Sequence, residues 1–296
     1  MNADRSMTMT RRGEAGNRCY LALIVLIWLW GMGSALSLRD ARFIAPGLLS
    51  LLVIVLLSRA TAASAGSWRS WLGVLQFAGS WLIFYLFKAI HLAMPRSFDT
   101  PLLRWDRVIF GGLGATERAA ALHYIWLSEV MSLCYLSFYF IILLPVIVYA
   151  CRRNALASRG FFHGLMLMYL FGFLGYLLIP ASGPYAQFPD LFPYPPEGGA
   201  ITAFLAQLVA QGGTGMDVFP SLHCGISLYV LGYFILHRHT LIAVLLFPVV
   251  AGLILATLYL FYHYGIDLIV GALLACAVLG WLYRCGYFRN DAALRI

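Results

Sequence analysis

"LIAVLLFPVVAGLILATLYLFYHYGIDLIVG", residues 241–271, decides the fold. Its first twenty residues, 241–260, carry no charge, and a run of that length spans a bilayer as a helix. A second apolar run, 266–283, follows almost at once; His263 stands between the two and Asp267 at the start of the second. A carboxylate at the edge of a membrane helix is costly and needs a partner; His263 is the nearest candidate. The pair is four positions apart, a spacing that predicts one shared helix face.

Upstream, "FPSLHCG" (219–225) opens another apolar run, 219–236. Proline is tolerated in a first helical turn because its missing N–H would have no partner there. A helix N-terminus offers N–H groups to an anion, with Ser221 beside them and His223 in the first turn. The 40 positions from His223 to His263 match a hairpin of two spans, which returns His263 to the depth of His223. Two imidazoles and a carboxylate are thus expected together at one membrane face.

Composition agrees with this outline. The 296 residues are 62% hydrophobic and 11% charged, against roughly 25% charged in soluble domains. The class is an all-α, polytopic membrane bundle with about eight spans, expected near 20–38, 43–58, 71–93, 124–150, 161–180, 219–236, 241–260 and 266–283. Residues 1–70 are expected to form the tail and a first hairpin, and 71–296 the functional membrane domain. The run from Tyr20 is long enough to be a retained span rather than a signal peptide. The net charge of +8 comes almost wholly from arginine, and its placement between apolar runs points to topology and lipid headgroups, not nucleic acid. Arg5, Arg11, Arg12, Arg18, Arg59, Arg69, Arg152, Arg153, Arg159, Arg238, Arg284, Arg289 and Arg295 fall on one side of an eight-span chain, expected to be cytoplasmic. Segment 181–218, without lysine or arginine, falls on the other. Loop 94–123 shares that outer side yet carries Arg96, Arg104, Arg107 and Arg118, as if to bind an anionic substrate or lie on the headgroups. The six cysteines form no C-x-x-C pair and are expected to be reduced and packed.

The histidine–carboxylate set suits phosphoryl transfer. A carboxylate fixes an imidazole's tautomer and leaves its other nitrogen to attack; a second imidazole protonates the leaving oxygen; helix N–H groups hold phosphate oxygens. No metal or other cofactor is required. The same residues leave two alternatives: a membrane cytochrome with His223 and His263 as axial haem ligands, and a non-catalytic lipid carrier.

In order and spacing, "FPSLH" and "YHYGIDLIVG", with "LIPASGPY" (178–185) and "WDRVIFGG" (105–112), resemble the type 2 phosphatidic acid phosphatase superfamily, and in detail its inositol phosphorylceramide synthase-like branch. The resemblance covers roughly residues 100–283. It implies a phosphatase-type core in the C-terminal half, with His263 as nucleophile, Asp267 as its orienting carboxylate and His223 as general acid. It also implies a membrane phospholipid or sphingolipid substrate, with water or an alcohol as acceptor. The chain departs from the phosphatase pattern at Ala256 and Thr257, where that pattern has S-R, and this favours the synthase-like branch. "KAIHLAMPR" (88–96) only approximates the K-x6-R-P element and lies far upstream of its usual place. Ser221, Arg107, Ser182, Gly183 and Lys88 are the phosphate-binding candidates, with Arg104 and Arg96 behind them. Glu129 reads as a structural polar partner and Asp217 as a cap for the helix after it. An arginine-rich, nearly lysine-free chain suits a bacterial inner membrane, with the site facing the periplasm.

Overall fold

In hydrocarbon every backbone N–H and C=O must be paired within the chain, and apolar runs of this kind resolve into helices. The computed structural model describes residues 2–63, 70–122, 124–151 and 155–288. Arg69, His123, Arg152, Arg153, Arg289 and Arg295 lie outside the described residues, as do the side chains of Arg5, Arg11 and Arg12. Among the described residues there is no strand. In chain order the helices are α1 (Asn2–Leu38), α2 (Ile44–Ala63), α3 (Ser70–Ala93), α4 (Asp99–Ile109), α5 (Ala115–Ala120), α6 (Ile125–Cys151), α7 (Ala155–Leu178), α8 (Pro184–Gln187), α9 (Ala200–Gly212), α10 (Leu222–Leu236), α11 (Thr240–Tyr259) and α12 (Gly265–Cys285).

Seven of the described helices contain segments long and apolar enough to cross a membrane: Gly16–Leu38, Ala41–Arg59, Trp71–Ala93, Ile125–Cys151, Leu156–Leu178, Thr240–Tyr259 and Gly265–Cys285. The expected eighth span, 219–236, is shorter than its apolar run. Phe219 and Pro220 are non-helical lead-in, Ser221 is the cap, and α10 itself has 15 residues, about 22 Å of rise. The protein is an integral, multi-pass helical membrane protein. Its apolar composition is visible on the outside: Leu241 is 73%, Leu245 65% and Phe247 61% exposed on α11, where lipid rather than water is the solvent. Cys19, Cys151 and Cys276 are exposed in the same way. The expectation that the cysteines are packed therefore holds for buried Cys224 and Cys285 and fails for these three, because a lipid-facing thiol needs no protein cover.

The chain divides into two compact units. One comprises Met1–Met94, Leu144–Phe171 and Ala277–Ile296. Here α1 and α2 form the expected hairpin across a short 3-10 turn, Ala41–Phe43, which Asp40 caps through Arg42 N at 3.0 Å. Trp28 donates to the Gly47 carbonyl across the hairpin at 2.8 Å. Against α3, Tyr20 donates to the Gln76 carbonyl at 2.7 Å. A Cβ on Gly31 of α1 would stand 2.6 Å from Leu86 of α3, so glycine is what permits that close approach. Lys88, on α3, belongs to this unit.

The other unit comprises Pro95–Leu143 and Gly172–Cys276. Its short elements are tied by carboxylates to backbone N–H groups. Leu102 and Leu103 of α4 pack with Ala181, Val218 and Tyr264, placing α4 beside the turns that precede α8, α10 and α12. Loop 94–123 is therefore two short helices, α4 and α5, built into the fold. His223, His263 and Asp267 all lie in this unit.

Candidate active site

The start of α10 is held against α12 by backbone contact. Ser221 N donates to the Asp267 carbonyl at 3.1 Å, and a Cβ on Gly271 would stand 2.4 Å from the Ser221 carbonyl. The glycine that closes "YHYGIDLIVG" thus lets two helices meet without an intervening side chain. Ser221, fully buried, is the N-cap of α10, its Oγ accepting from Cys224 N at 3.3 Å. The amides of Leu222 and His223, first in α10, have no intrahelical acceptor. Asp217 is not the cap: its carboxylate accepts from Thr214 N at 3.3 Å and shapes the preceding loop.

His223 and His263 come together as the spacing predicts, their ring centroids 5.7 Å apart at 62°. His263 Nδ1 lies 3.5 Å from Asp267 Oδ2. The reason for their approach differs from a shared helix face. His263 precedes α12, Tyr264 stands at the cap position, and Asp267 reaches back to accept from Tyr264 N at 2.9 Å. This is the carboxylate half of a capping box. One side chain thus caps the helix and faces the imidazole. Thr116 of α5 donates to the His263 carbonyl at 2.6 Å, fixing the backbone on the other side. Burial pushes the His263 imidazole down to about 4, and the nearby charge of Asp217 opposes this, so the ring is neutral at ordinary pH.

Tyr135 of α6 was not legible as a site residue. Its hydroxyl is 3.1 Å from His223 Nε2, and the rings are 4.8 Å apart. Nothing at position 135 in the sequence marks this partnership, which the packing of α6 against α10 creates. His223 Nε2 is thus engaged by Tyr135 and His263 Nδ1 faces Asp267, which leaves His223 Nδ1 and His263 Nε2 for other partners.

Three further carboxylates hold the surrounding turns. Asp99 accepts from Ser182 N, Gly183 N and the Tyr264 hydroxyl, each at 2.9 Å. Asp106, in the "WDRVIFGG" stretch, accepts from Ala115 N and Ile266 N, each at 2.8 Å, and so caps α5 and α12 together. Burial raises its carboxyl above the usual range, with the N–H groups of Ile266, Ala115 and Gly265 opposing. Glu129 accepts from the amides of Gly199 at 2.9 Å, Ile201 at 3.1 Å and Thr202 at 2.8 Å; it is the structural cap of α9.

The phosphate-binding candidates fare differently. Arg107 is paired in a fork with Glu117, at 2.9 and 2.6 Å; that hydrogen bond raises the guanidinium and lowers the carboxyl, so this arginine is already partnered within the fold. Ser182 turns its hydroxyl to the Gly215 carbonyl at 2.8 Å and, with Gly183, gives its amide to Asp99. Gly183 has φ +92°, and a Cβ there would stand 2.7 Å from the Tyr262 carbonyl, so it serves the turn beside His263 by close approach. Ser221 is an N-cap, and Lys88 belongs to the other unit.

The family model described as the PAP2 superfamily matches residues 100–281, a stretch that contains His223, His263 and Asp267 together with Asp106 and Glu129. No curated protein and no solved structure gives a match. Since the matched segment is more than half of the chain, the protein belongs to the PAP2 superfamily.

Proposed function

We propose that the protein is a membrane-bound lipid phosphatase or phosphotransferase that works through a phosphohistidine at His263. Membership of the PAP2 superfamily and the multi-pass helical fold support a lipid-phosphatase-type activity. The observation that carries the finer reading is the buried His263, its Nδ1 3.5 Å from Asp267 Oδ2 and its ring 5.7 Å from that of His223. With Nδ1 protonated and directed at the carboxylate, the lone pair of Nε2 attacks phosphorus. The bond from phosphorus to the leaving oxygen breaks, and His223, oriented by Tyr135, supplies the proton to that oxygen. In the second half water or an alcohol gives a proton to His223 and attacks phosphorus, the P–N bond breaks, and His263 is regenerated. The amides of Leu222 and His223 are suited to the phosphate oxygens. The stretches "FPSLH", "LIPASGPY" and "YHYGIDLIVG" further suggest transfer to an alcohol, as in inositol phosphorylceramide synthase-like enzymes, on a phospholipid or sphingolipid.

Trapping the intermediate tests this. Rapid acid-free quenching with a phosphorus-labelled lipid should leave a base-stable, acid-labile label, absent in His263→Ala. His223→Ala should block lipids with poor alkoxide leaving groups but still form phosphoenzyme with p-nitrophenyl phosphate. Asp267→Asn should slow turnover by about 10²–10⁴ through a mis-set tautomer. A His263→Ala protein that keeps several per cent of activity while His223→Ala keeps none would reverse the two roles.

A further inference from the structure

We propose that the exposed edge of α4 and α5 is a docking surface for anionic phospholipids of the surrounding bilayer, seated at headgroup level beside His263. Its depth follows from the spans around it. Ile125–Cys151 begins, Thr240–Tyr259 ends and Gly265–Cys285 begins at one membrane face: Tyr124 N donates to the Tyr259 hydroxyl at 3.3 Å, and residues 260–264 join Tyr259 directly to Gly265. Tyr124 and Trp126 stack there at 6.3 Å and 23°, both exposed, as aromatic rings do at a headgroup boundary. Both ends of α4 are tied to this level. At its start Asp99 accepts from the Tyr264 hydroxyl and from the amide of Gly183, the residue packed on the Tyr262 carbonyl. Asp106, about 10 Å further along the helix, accepts from Ile266 N. Thr116 holds α5 at the same height through the His263 carbonyl. A helix whose two ends meet neighbouring residues of one turn lies along the membrane face and does not thread through it.

The side chains sort accordingly. Asp99, Leu102, Leu103 and Asp106 are buried, whereas Trp105, Val108, Ile109 and, beyond the helix, Leu113 are exposed. Val108, at 76%, is the most exposed large apolar side chain among the described residues. Such an edge is unfavourable in water, but at this depth it meets acyl chains, the pattern of an interfacial helix. Charge is sorted too. The carboxylates of segment 95–124 are Asp99, Asp106 and Glu117, and its cations are Arg96, Arg104, Arg107 and Arg118. Asp99 and Asp106 are turned inward onto backbone amides, and Glu117 is forked by Arg107. Arg96, Arg104 and Arg118 are exposed. Arg118 donates to the Phe110 and Leu113 carbonyls, which leave its charge uncompensated, and no hydrogen bond or ion pair holds Arg96 or Arg104 among the described residues. The fold thus buries or pairs every carboxylate of the segment and leaves three positive charges among apolar side chains. A free anion calls for donors that converge; cations interleaved with Trp105 and Val108 match phosphodiester headgroups with their chains alongside.

The surface is read through lipid contact rather than turnover, so its test is separate from that of the phosphohistidine. The full chain, in a cysteine-free background, is placed in nanodiscs of phosphatidylcholine and phosphatidylglycerol, with a bimane label at Val108→Cys. Asp190→Cys, at an exposed loop position, and Leu245→Cys, at a lipid-facing position of α11, are the water and membrane references. A lipid carrying a doxyl quencher near its headgroup should quench the label at 108 as it does at 245, and aqueous iodide should quench it several-fold less than at 190. At equal mole fraction, doxyl phosphatidylglycerol should quench more than doxyl phosphatidylcholine. Arg96→Gln combined with Arg104→Gln should remove at least half of that difference and leave the melting midpoint unchanged, since neither side chain holds another. Iodide quenching at 108 as strong as at 190 would take the edge out of the membrane and overturn the dock. Equal quenching by the two doxyl lipids, or a phosphatidylglycerol preference that survives the double variant, would overturn the assignment to anionic headgroups. A preference abolished by inorganic phosphate at constant ionic strength would make the arginines a free-phosphate site and overturn the lipid occupant.

Discussion

His263 is 2% exposed, and that burial has a measurable consequence. An exposed imidazole titrates near 6.5, whereas burial here lowers the value to about 4. The imidazole therefore stays unprotonated through the mildly acidic range, as the proposed nucleophilic role requires. The acid limb of kcat/KM that belongs to it should begin near pH 5 and have its midpoint near 4; a limb centred near 6.5 would show an ordinary, solvated histidine. Stability should follow with the same sign. The unfolded chain takes up the proton first, so this group's contribution is fully present above pH 6.5, shrinks as the pH falls, and levels off below about 4. The sequence made the two histidines and Asp267 legible because all three stand in or beside interruptions of apolar runs, at a spacing that a hairpin must bring together. Tyr135 was not legible, since a tyrosine in an aromatic-rich membrane helix has many reasons to be there and its partner lies 88 positions away.

At the level of elements, carboxylates do what side-chain hydroxyls do at most helix starts. Asp106 serves two helices at once, and α12 is the one that His263 and Asp267 flank. Asp106→Ala would leave the amides of Ala115 and Ile266 without their acceptor, at about 1–3 kcal/mol for each buried group, and would loosen the turn that orients the imidazole. The expected result is a lower melting midpoint in detergent together with a loss of turnover larger than the loss of folded protein. Asp106→Asn, which keeps one carbonyl acceptor, should be milder in both. A variant with alanine that melts and turns over like the parent would show the double cap to be idle. Whereas α8 and α9 were not read as helices, the seven membrane-crossing segments were readable from hydropathy to within about five residues of their ends. The turns were not: loop 94–123 reads as an arginine-bearing surface, because the hydrogen bonds that build it run from Asp99 and Asp106 to backbone groups as far as 160 positions away, and backbone donors have no sequence signature. The H-x-x-x-D pair was recognised for a face it does not share, since a capping residue and a face residue can have the same spacing.

Across the whole molecule, the open question of α10 is one of passage. Its 15 residues are short of the roughly 20 that a span needs, yet α11, with 20 residues, leaves the far end of α10 and returns to the level of His223, because the two imidazole rings are 5.7 Å apart. A helix that is matched by a full-length return must itself traverse most of the same depth, with Phe219 and Pro220 before it and the turn at 237–239 after it completing the crossing. Charge gives the direction: Arg238 sits in that turn, whereas 181–218 has neither lysine nor arginine, and basic residues are retained on the cytoplasmic side. A cysteine-free background is needed for the test, since Cys19, Cys151 and Cys276 are exposed. In that background, single cysteines at positions 190 and 238 should react with an impermeant maleimide from opposite sides of intact cells or spheroplasts, with 190 labelled from outside. Labelling of both from the same side would make α10 a re-entrant helix. Labelling of 238 from outside and 190 only after lysis would turn the whole bundle over and set His263 on the cytoplasmic face.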